Sequence, residues 1–230
     1  MSGRIQNGVR AVWQSLALAL PIGLAGGVVG TAFHIAVEQV TALRAAQGWL
    51  LWLLPIAGLG ITALYQVLRC QGLGTDDVLR TVQQGKPLPL ALTPAIFLGA
   101  VLTHLCGGSA GREGAALQMG GSIGWTIGSW EKQSPAGRRC AAVCGMAALF
   151  SALFGTPMAS ALFAVTVAQV GGSFAPALAP SLVAALIASG VSSAAGIAPT
   201  AFRVVMPALT WQTALQAGLL GVACAVVTRG

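Results

Sequence analysis

The sequence predicts an all-α, polytopic membrane helical bundle with discontinuous helices, and three observations support this fold class. Hydrophobic residues make up 56% of the 230 residues and charged residues 7%, whereas soluble domains carry about 25% charged residues. There are 31 glycines, and small residues let transmembrane helices pack closely. Breaks that contain glycine and proline divide the apolar sequence into segments. Several of these segments are shorter than the roughly 20 residues of a full span.

The first apolar segment follows a short basic leader, residues 1–10, which we expect to lie in the cytoplasm. The segment runs from residue 11 to about residue 40, and we expect a break at Pro21. Near its end, His34 and Glu38 lie one helical turn apart. They are either a proton-handling pair or, as we favour, residues near the membrane interface.

A glycine-rich turn, residues 69–77, leads into a short helix that is predicted from Asp76 to about Gln84. Thr75 or Asp76 is expected to cap this helix. The carboxylates of Asp76 and Asp77 are favourable at its positive end.

The rest of the chain is mostly apolar and gives about six to eight membrane segments in all, judged by the length of a full span. The remaining segments are 45–68, 90–105, 115–130, 140–154, 158–170, 177–195 and 209–227. Two breaks, at Gly155–Pro157 and at Gly171–Pro176, interrupt the second half. Short, interrupted helices of this kind are typical of transporters whose binding site lies near the bilayer midplane.

Small residues recur at four-residue spacing on two of the predicted helices. This spacing places them on one helix face, where they permit close approach of a neighbouring helix. The predicted packing faces are Gly23/Gly27 and Gly26/Gly30 on the first helix, and Gly120, Gly124 and Gly128 on a later one.

The net charge of +7 indicates membrane topology and not nucleic-acid binding, because the basic residues lie in the breaks between apolar runs. Basic stretches at 4–10, 69–86 and 132–139, together with residue 229, alternate with loops that hold only Arg44 or Arg203. Under the positive-inside rule, this pattern places the N-terminus in the cytoplasm of a multi-pass protein of the cell membrane.

Catalytic and cofactor-binding patterns are not found in the sequence. It holds no P-loop and no Ser/His/acid set, so an enzyme is not predicted. The five cysteines lack zinc-type spacing; Cys140 and Cys144, one turn apart, are read as small apolar helix residues. We therefore expect no metal and no cofactor.

One stretch, residues 105–114, carries charge inside these apolar surroundings. It contains four glycines together with Arg112 and Glu113, and it opens directly into the apolar run from Ala115. If a helix begins near Glu113, its first amides have no partner within the helix and offer an anion site at the positive end of the dipole. Gly111 and Gly114 let the backbone approach an ion.

The Glu113 carboxylate would compete with a mobile anion for the same amides, and protonation would end that competition. One residue can thus couple the passage of an anion to that of a proton. The alternative is that Arg112 and Glu113 only pair and cap the helix. We favour the functional role, because adjacent residues do not face each other on a helix and because buried charge in a membrane is costly.

Residues 108–122, Gly-Ser-Ala-Gly-Arg-Glu-Gly-Ala-Ala-Leu-Gln-Met-Gly-Gly-Ser, resemble the Gly-(Lys/Arg)-Glu-Gly signature of the CLC family of anion channels and anion/proton antiporters. Residues 145–165 resemble the helix pair that follows that signature. Thr156 before Pro157, and His104 before the glycine-rich run, are similar to the fluoride-exporting branch.

This resemblance implies one inverted-repeat half of a CLC-like fold, with residues 11–230 as its transmembrane domain. It implies that Glu113 is the gating and proton-carrying glutamate, and that the anion path is lined at Gly111, Arg112, Gly114 and Ala115. It also implies that the turn 72–75, which includes Gly74 and Thr75, lies where chloride-selective members place an anion-facing serine. The turn contains no serine, which favours the fluoride branch or leaves the selectivity open.

The resemblance predicts transport of a small inorganic anion, fluoride or chloride, coupled to protons across the lipid bilayer, and a homodimer is compatible with it. Three departures bear on this prediction. The chain is long enough for one half of the pore only, which leaves a truncated, non-transporting membrane protein as the alternative. Residues 172–176 spell a second-half signature that we read as a chance match. The helix 158–170 lacks the acids that many antiporters carry there.

Overall fold

The computed structural model describes residues 2–168, 177–200 and 210–229, and within these ranges all regular structure is helical. A 3-10 helix, Gly48–Leu53, joins the first two α-helices. The α-helices of the described ranges are α1 (Ser2–Ala46), α2 (Leu54–Val67), α3 (Thr75–Gln84), α4 (Leu92–Leu105), α5 (Arg112–Trp130), α6 (Pro135–Phe154), α7 (Pro157–Ala168), α8 (Leu178–Ala194) and α9 (Trp211–Arg229). The predicted all-α class is confirmed.

Helix length and hydropathy give the interrupted membrane pattern that the sequence predicts. Within the described ranges, four helical stretches are long and apolar enough to cross a membrane: Ala17–Ala46, Gly48–Val67, Pro135–Phe154 and Trp211–Thr228. The helices α4, α7 and α8 are apolar but shorter. The chain divides into two units, Met1–Thr200, which contains α1 to α8, and Ala201–Gly230, which contains α9.

Two details of the predicted helix boundaries are wrong. The expected break at Pro21 does not occur: α1 continues through Pro21 to Ala46. Helices in membranes tolerate proline where neighbouring groups satisfy the freed carbonyl. The short helix α3 begins at Thr75, and its cap position is Gly74. The Gly74 amide donates to Asp77 Oδ2 at 2.9 Å, so the side chain three residues on, and not Thr75 or Asp76, closes this helix end.

The predicted small-residue faces of α1 and α5 are packing faces, and both helices place glycines against α6. On α1, Gly26 and Gly30 face Ala148 and Ala152 of α6, since a Cβ at either glycine would lie within 3 Å of the alanine Cβ. Gly23 and Gly27 lie on the adjacent face of α1. That second pair packs on Ala184, Ile187, Ala188 and Val191 of α8.

The α5 glycines face α6 even more closely. A Cβ on Gly120 would collide with the carbonyl of Gly145, and one on Gly124 with the carbonyl of Ala141. The backbones of α5 and α6 are therefore in direct contact, and the N-terminus of α5 is fixed relative to the centre of the bundle. The apolar core around them includes Met119, Met146 and Leu149, all fully buried.

Candidate functional site

The break between α4 and α5 begins with a tight helix end at Gly107. The Gly107 amide donates to the His104 carbonyl at 3.0 Å, and the Gly108 amide donates to the Thr103 carbonyl at 2.9 Å. Gly107 has φ +76, the left-handed conformation that glycine adopts without a Cβ penalty. These two bonds form a Schellman motif, which turns the chain sharply out of α4.

Side chains from the end of α1 and from the segment that follows it pack over this turn. A Cβ on Gly107 would lie 2.7 Å from Arg44 Nε and 3.1 Å from Leu51 Cδ1, and a Cβ on Gly108 would lie 3.2 Å from Leu54 Cδ1. The Arg44 guanidinium thus lies at the carboxyl end of α4, where a positive charge is favourable. The two glycines are needed here because the space beside them is already filled.

The helix α5 begins at Arg112, with Gly111 as its N-cap in an extended conformation (φ −67, ψ 132) and no side-chain cap. In such a helix the first amides, from the cap to the third residue, have no partner within the helix. Gly111, Arg112, Glu113 and Gly114 therefore present free N–H groups at the positive end of the dipole. The Ala115 amide is the first that the helical pattern engages, and the Ala115 side chain is buried.

The two charged residues of the motif do not neutralise each other. Glu113 is exposed and Arg112 half-buried, and no ion pair involves either within the described ranges. The alternative in which they only pair with each other lacks the contact that it requires. The Glu113 carboxylate instead stands at the first turn of α5, beside the free amides.

The structure brings the turn that contains Gly74 and Thr75 to the N-terminus of α5. Gln118 Nε2 donates to Thr75 Oγ1 at 2.8 Å, and a Cβ on Gly114 would lie 3.0 Å from that hydroxyl oxygen. The first residues of α3 and α5 are thus adjacent, which the sequence could not establish. The Gly74 amide already donates to Asp77. Of the two residues, Thr75 is therefore the one with a donor still available to a ligand.

Gln118 was missed by the sequence analysis, although one signal pointed to it. Gln118 lies four residues after Gly114, on the same face of α5, and is the one amide side chain in that helix. At the opposite end of α3, Arg139 Nη1 of α6 donates to the Gln83 carbonyl at 3.2 Å. The short helix α3 is therefore held at both ends by polar contacts to the α5–α6 pair.

Other predicted features lie away from this group or outside the described ranges. His34 Nε2 contacts Glu38 Oε1 at 3.2 Å, with the His34 side chain 12% exposed and that of Glu38 64% exposed. The predicted break at residues 171–176 falls outside the described residues. Arg203 also lies outside them.

The structure is that of a polytopic membrane protein with discontinuous helices. It combines apolar helices long enough to span a membrane, shorter apolar helices between them, and a charged break where two helix ends meet. A family profile described as "Voltage gated chloride channel" matches residues 57–229. The chain therefore belongs to this family, the CLC family.

Individual relatives agree with this assignment. A "Chloride/fluoride channel protein" of Pseudomonas syringae pv. tomato is 33% identical over 158 residues, which is 68% of this chain and 35% of that protein. An "H(+)/Cl(-) exchange transporter ClcA" of Cronobacter sakazakii is 31% identical over 166 residues, 65% of this chain and 36% of that protein. The chain thus spans about a third of the length of these curated relatives, which are named as channels or transporters.

Two solved structures share the fold. A CLC-type fluoride/proton antiporter matches with a TM-score of 0.81 at 33% identity, covering 91% of this chain and 54% of that one. A slow cyanobacterial Cl⁻/H⁺ antiporter matches with a TM-score of 0.62 at 26% identity, covering 77% of this chain and 46% of that one. The predicted family resemblance and the helical membrane fold are confirmed.

Proposed function

We propose that this chain forms part of a transmembrane path for fluoride or chloride, in which Glu113 gates the anion and carries the coupled proton. The observation that carries the proposal is the meeting of two helix N-termini, since Thr75 of α3 lies against Gly114 of α5. Free amides and a hydroxyl converge there beside an exposed carboxylate. Such a group can bind an anion when the carboxylate moves away or is protonated.

The anion-binding residues of this proposal are Gly111, Arg112, Gly114 and Thr75, with Gly74 and Ala115 as backbone neighbours. Membrane insertion with a cytoplasmic N-terminus belongs to the same proposal and is supported by the basic loops. The names of the relatives support both anions, because one is named for chloride and fluoride and another for chloride and protons.

The test is ion efflux from liposomes that contain the purified chain, measured with fluoride and chloride electrodes while external pH is recorded. We expect efflux of at least one anion with accompanying proton movement. In Glu113→Gln, the side chain cannot exchange a proton, so anion efflux is expected to lose its proton coupling. The matched control is Glu131→Gln, which removes the carboxylate at the opposite end of α5 and is expected to leave coupling intact.

A sample that is folded and inserted, yet shows no efflux above empty liposomes, contradicts transport by this chain. That result favours the second candidate, a membrane protein that does not itself transport. The observation behind this candidate is that the chain spans 35% and 36% of the two curated relatives described above. Equal loss of coupling in Glu113→Gln and Glu131→Gln would contradict the role of Glu113 while leaving transport in place.

A further inference from the structure

The Thr75 hydroxyl differs from the other hydrogen-bonded hydroxyls on the described helices, because it accepts its bond and does not donate it. Seven of those hydroxyls donate to the carbonyl four residues earlier. Such bonds are formed by Thr41, Thr62, Thr103, Thr126, Ser129, Ser160 and Thr228. Thr75 is the first residue of α3, so no preceding helical turn offers it a carbonyl.

Thr75 instead accepts a hydrogen bond. Its Oγ1 receives Gln118 Nε2 at 2.8 Å, and within the described ranges no acceptor for its own proton is found. A hydroxyl has one proton and two lone pairs, and the proton rotates to suit its surroundings. Because the Gln118 amide occupies one lone pair, the Thr75 proton is directed away from Gln118 and is free for another acceptor.

We propose that Gln118 is a positioning residue that holds the Thr75 hydroxyl as a hydrogen-bond donor to the transported anion. The inference rests on the proposed function and adds to it a residue that acts through Thr75. It also gives Gly114 a defined role. A Cβ at Gly114 would lie 3.0 Å from Thr75 Oγ1, closer than an ordinary contact, so glycine leaves the hydroxyl in its position at the start of α5.

The charges on α3 explain why its contribution is a hydroxyl and not its backbone end. The Gly74 amide is engaged by the Asp77 carboxylate at 2.9 Å, and Asp76 adds a second carboxylate in the same turn. Two negative charges oppose an anion at the backbone end of α3. The Thr75 side chain, on the side that faces α5, is the donor that remains.

The test measures the half-saturating concentration of fluoride and of chloride for efflux, and equilibrium binding of each anion by calorimetry, for Gln118→Met and Thr75→Val. Methionine keeps the length and volume of glutamine without a donor, and valine keeps the shape of threonine without a hydroxyl. We expect each variant to raise the half-saturating concentration about tenfold, equivalent to about 1.4 kcal/mol. The double variant is expected to be no worse than Thr75→Val alone, because Gln118 acts only through that hydroxyl.

Two controls separate positioning from structural support. Ser122→Ala removes another bond between α5 and a neighbouring segment, from Ser122 Oγ to the Pro89 carbonyl at 2.7 Å; it is expected to leave the half-saturating concentration unchanged. Thr75→Ser keeps the hydroxyl and is expected to restore near-wild-type values. If Gln118→Met does not fold, the comparison of Thr75→Val with Thr75→Ser still decides whether the hydroxyl binds the anion.

The outcomes distinguish this inference from the proposed function. Wild-type protein that neither transports nor binds fluoride or chloride overturns the proposed function, and the inference with it. Wild-type protein that binds an anion, with Gln118→Met or Thr75→Val equal to Ser122→Ala in affinity, overturns the inference alone. A further loss of affinity in the double variant, beyond that of Thr75→Val, shows that Gln118 does not act through Thr75 and also overturns it.

Discussion

Gly120 of α5 and Gly145 of α6 lie so close that a Cβ built on either would collide with the backbone carbonyl of the other. This contact fixes the separation of the two helices that hold the candidate site. α5 supplies its free amides, and α6 holds the far end of α3 through Arg139. The position of the site therefore depends on glycines that never touch an anion.

Gly120→Ala is expected to destabilise the protein by about 1–3 kcal/mol or more, because the added methyl group forces α5 away from α6. The measurement is the midpoint of thermal unfolding in detergent. Gly190→Ala is the control, since no atom lies within 4 Å of a Cβ placed at this helical glycine. That substitution should stabilise the helix by up to about 1 kcal/mol, and equal loss in both variants would contradict the contact.

Gly107→Ala tests the tight end of α4, where two costs combine. Gly107 has φ +76, and a Cβ there would also meet Arg44 Nε at 2.7 Å. Gly196→Ala carries only the cost of the left-handed backbone, because Gly196 has φ +82 and no atom lies within 4 Å of a Cβ placed there. A residue other than glycine in this conformation costs about 1–2 kcal/mol. We expect unfolding to show a larger loss for Gly107→Ala, and a smaller difference when Arg44 is also replaced by alanine.

Thr31→Val is expected to stabilise the protein. Thr31 is 7% exposed, and its Oγ1 is buried with no hydrogen-bond partner within the described ranges. An unsatisfied buried polar atom costs about 1–3 kcal/mol, and valine has the same shape without that atom. Thr103→Val is the matched control, because Thr103 Oγ1 donates to the Gly99 carbonyl at 2.7 Å. A lower unfolding midpoint for Thr31→Val than for wild type would contradict the prediction.

Arg139→Met is expected to loosen the carboxyl end of α3 while its amino end stays fixed by Gln118. The lost bond, Arg139 Nη1 to the Gln83 carbonyl, involves a charged donor and contributes about 1.5–3 kcal/mol. Hydrogen exchange of the last turn of α3 should accelerate about tenfold or more. Arg80→Met removes an exposed cation from the same helix and should leave exchange unchanged. Uniform acceleration along α3 in Arg139→Met would show that the two ends are not held independently.

The helical membrane fold was predictable because composition and the spacing of small residues together decide it. A chain with 7% charged residues and 31 glycines satisfies its backbone in lipid only through helices or a closed barrel, and its small-residue spacing favours packed helices. The motif around Glu113 was predictable for a related reason. Charged residues in an apolar chain at a glycine-rich break are visible without knowledge of any neighbour.

Boundaries and partners were less predictable. Proline predicted a break at Pro21, but α1 passes through it, because packing against neighbouring helices decides whether a proline ends a helix. The cap of α3 was assigned to Thr75 or Asp76, whereas Asp77 reaches back to Gly74. In the first case a long helix continues through a residue that locally disfavours it, and in the second one acid of the first turn replaces its neighbours as the capping group.

The sequence by itself determined the class of fold, the family and the position of the charged break, since each follows from residue types at fixed spacing along the chain. Only the tertiary structure decided which glycine face meets α6 and which meets α8, and that Thr75, Gly114 and Gln118 come together. Gln118 and Thr75 are 43 residues apart. A contact across that separation depends on the packing of α3 against the α5–α6 pair, which no local pattern encodes.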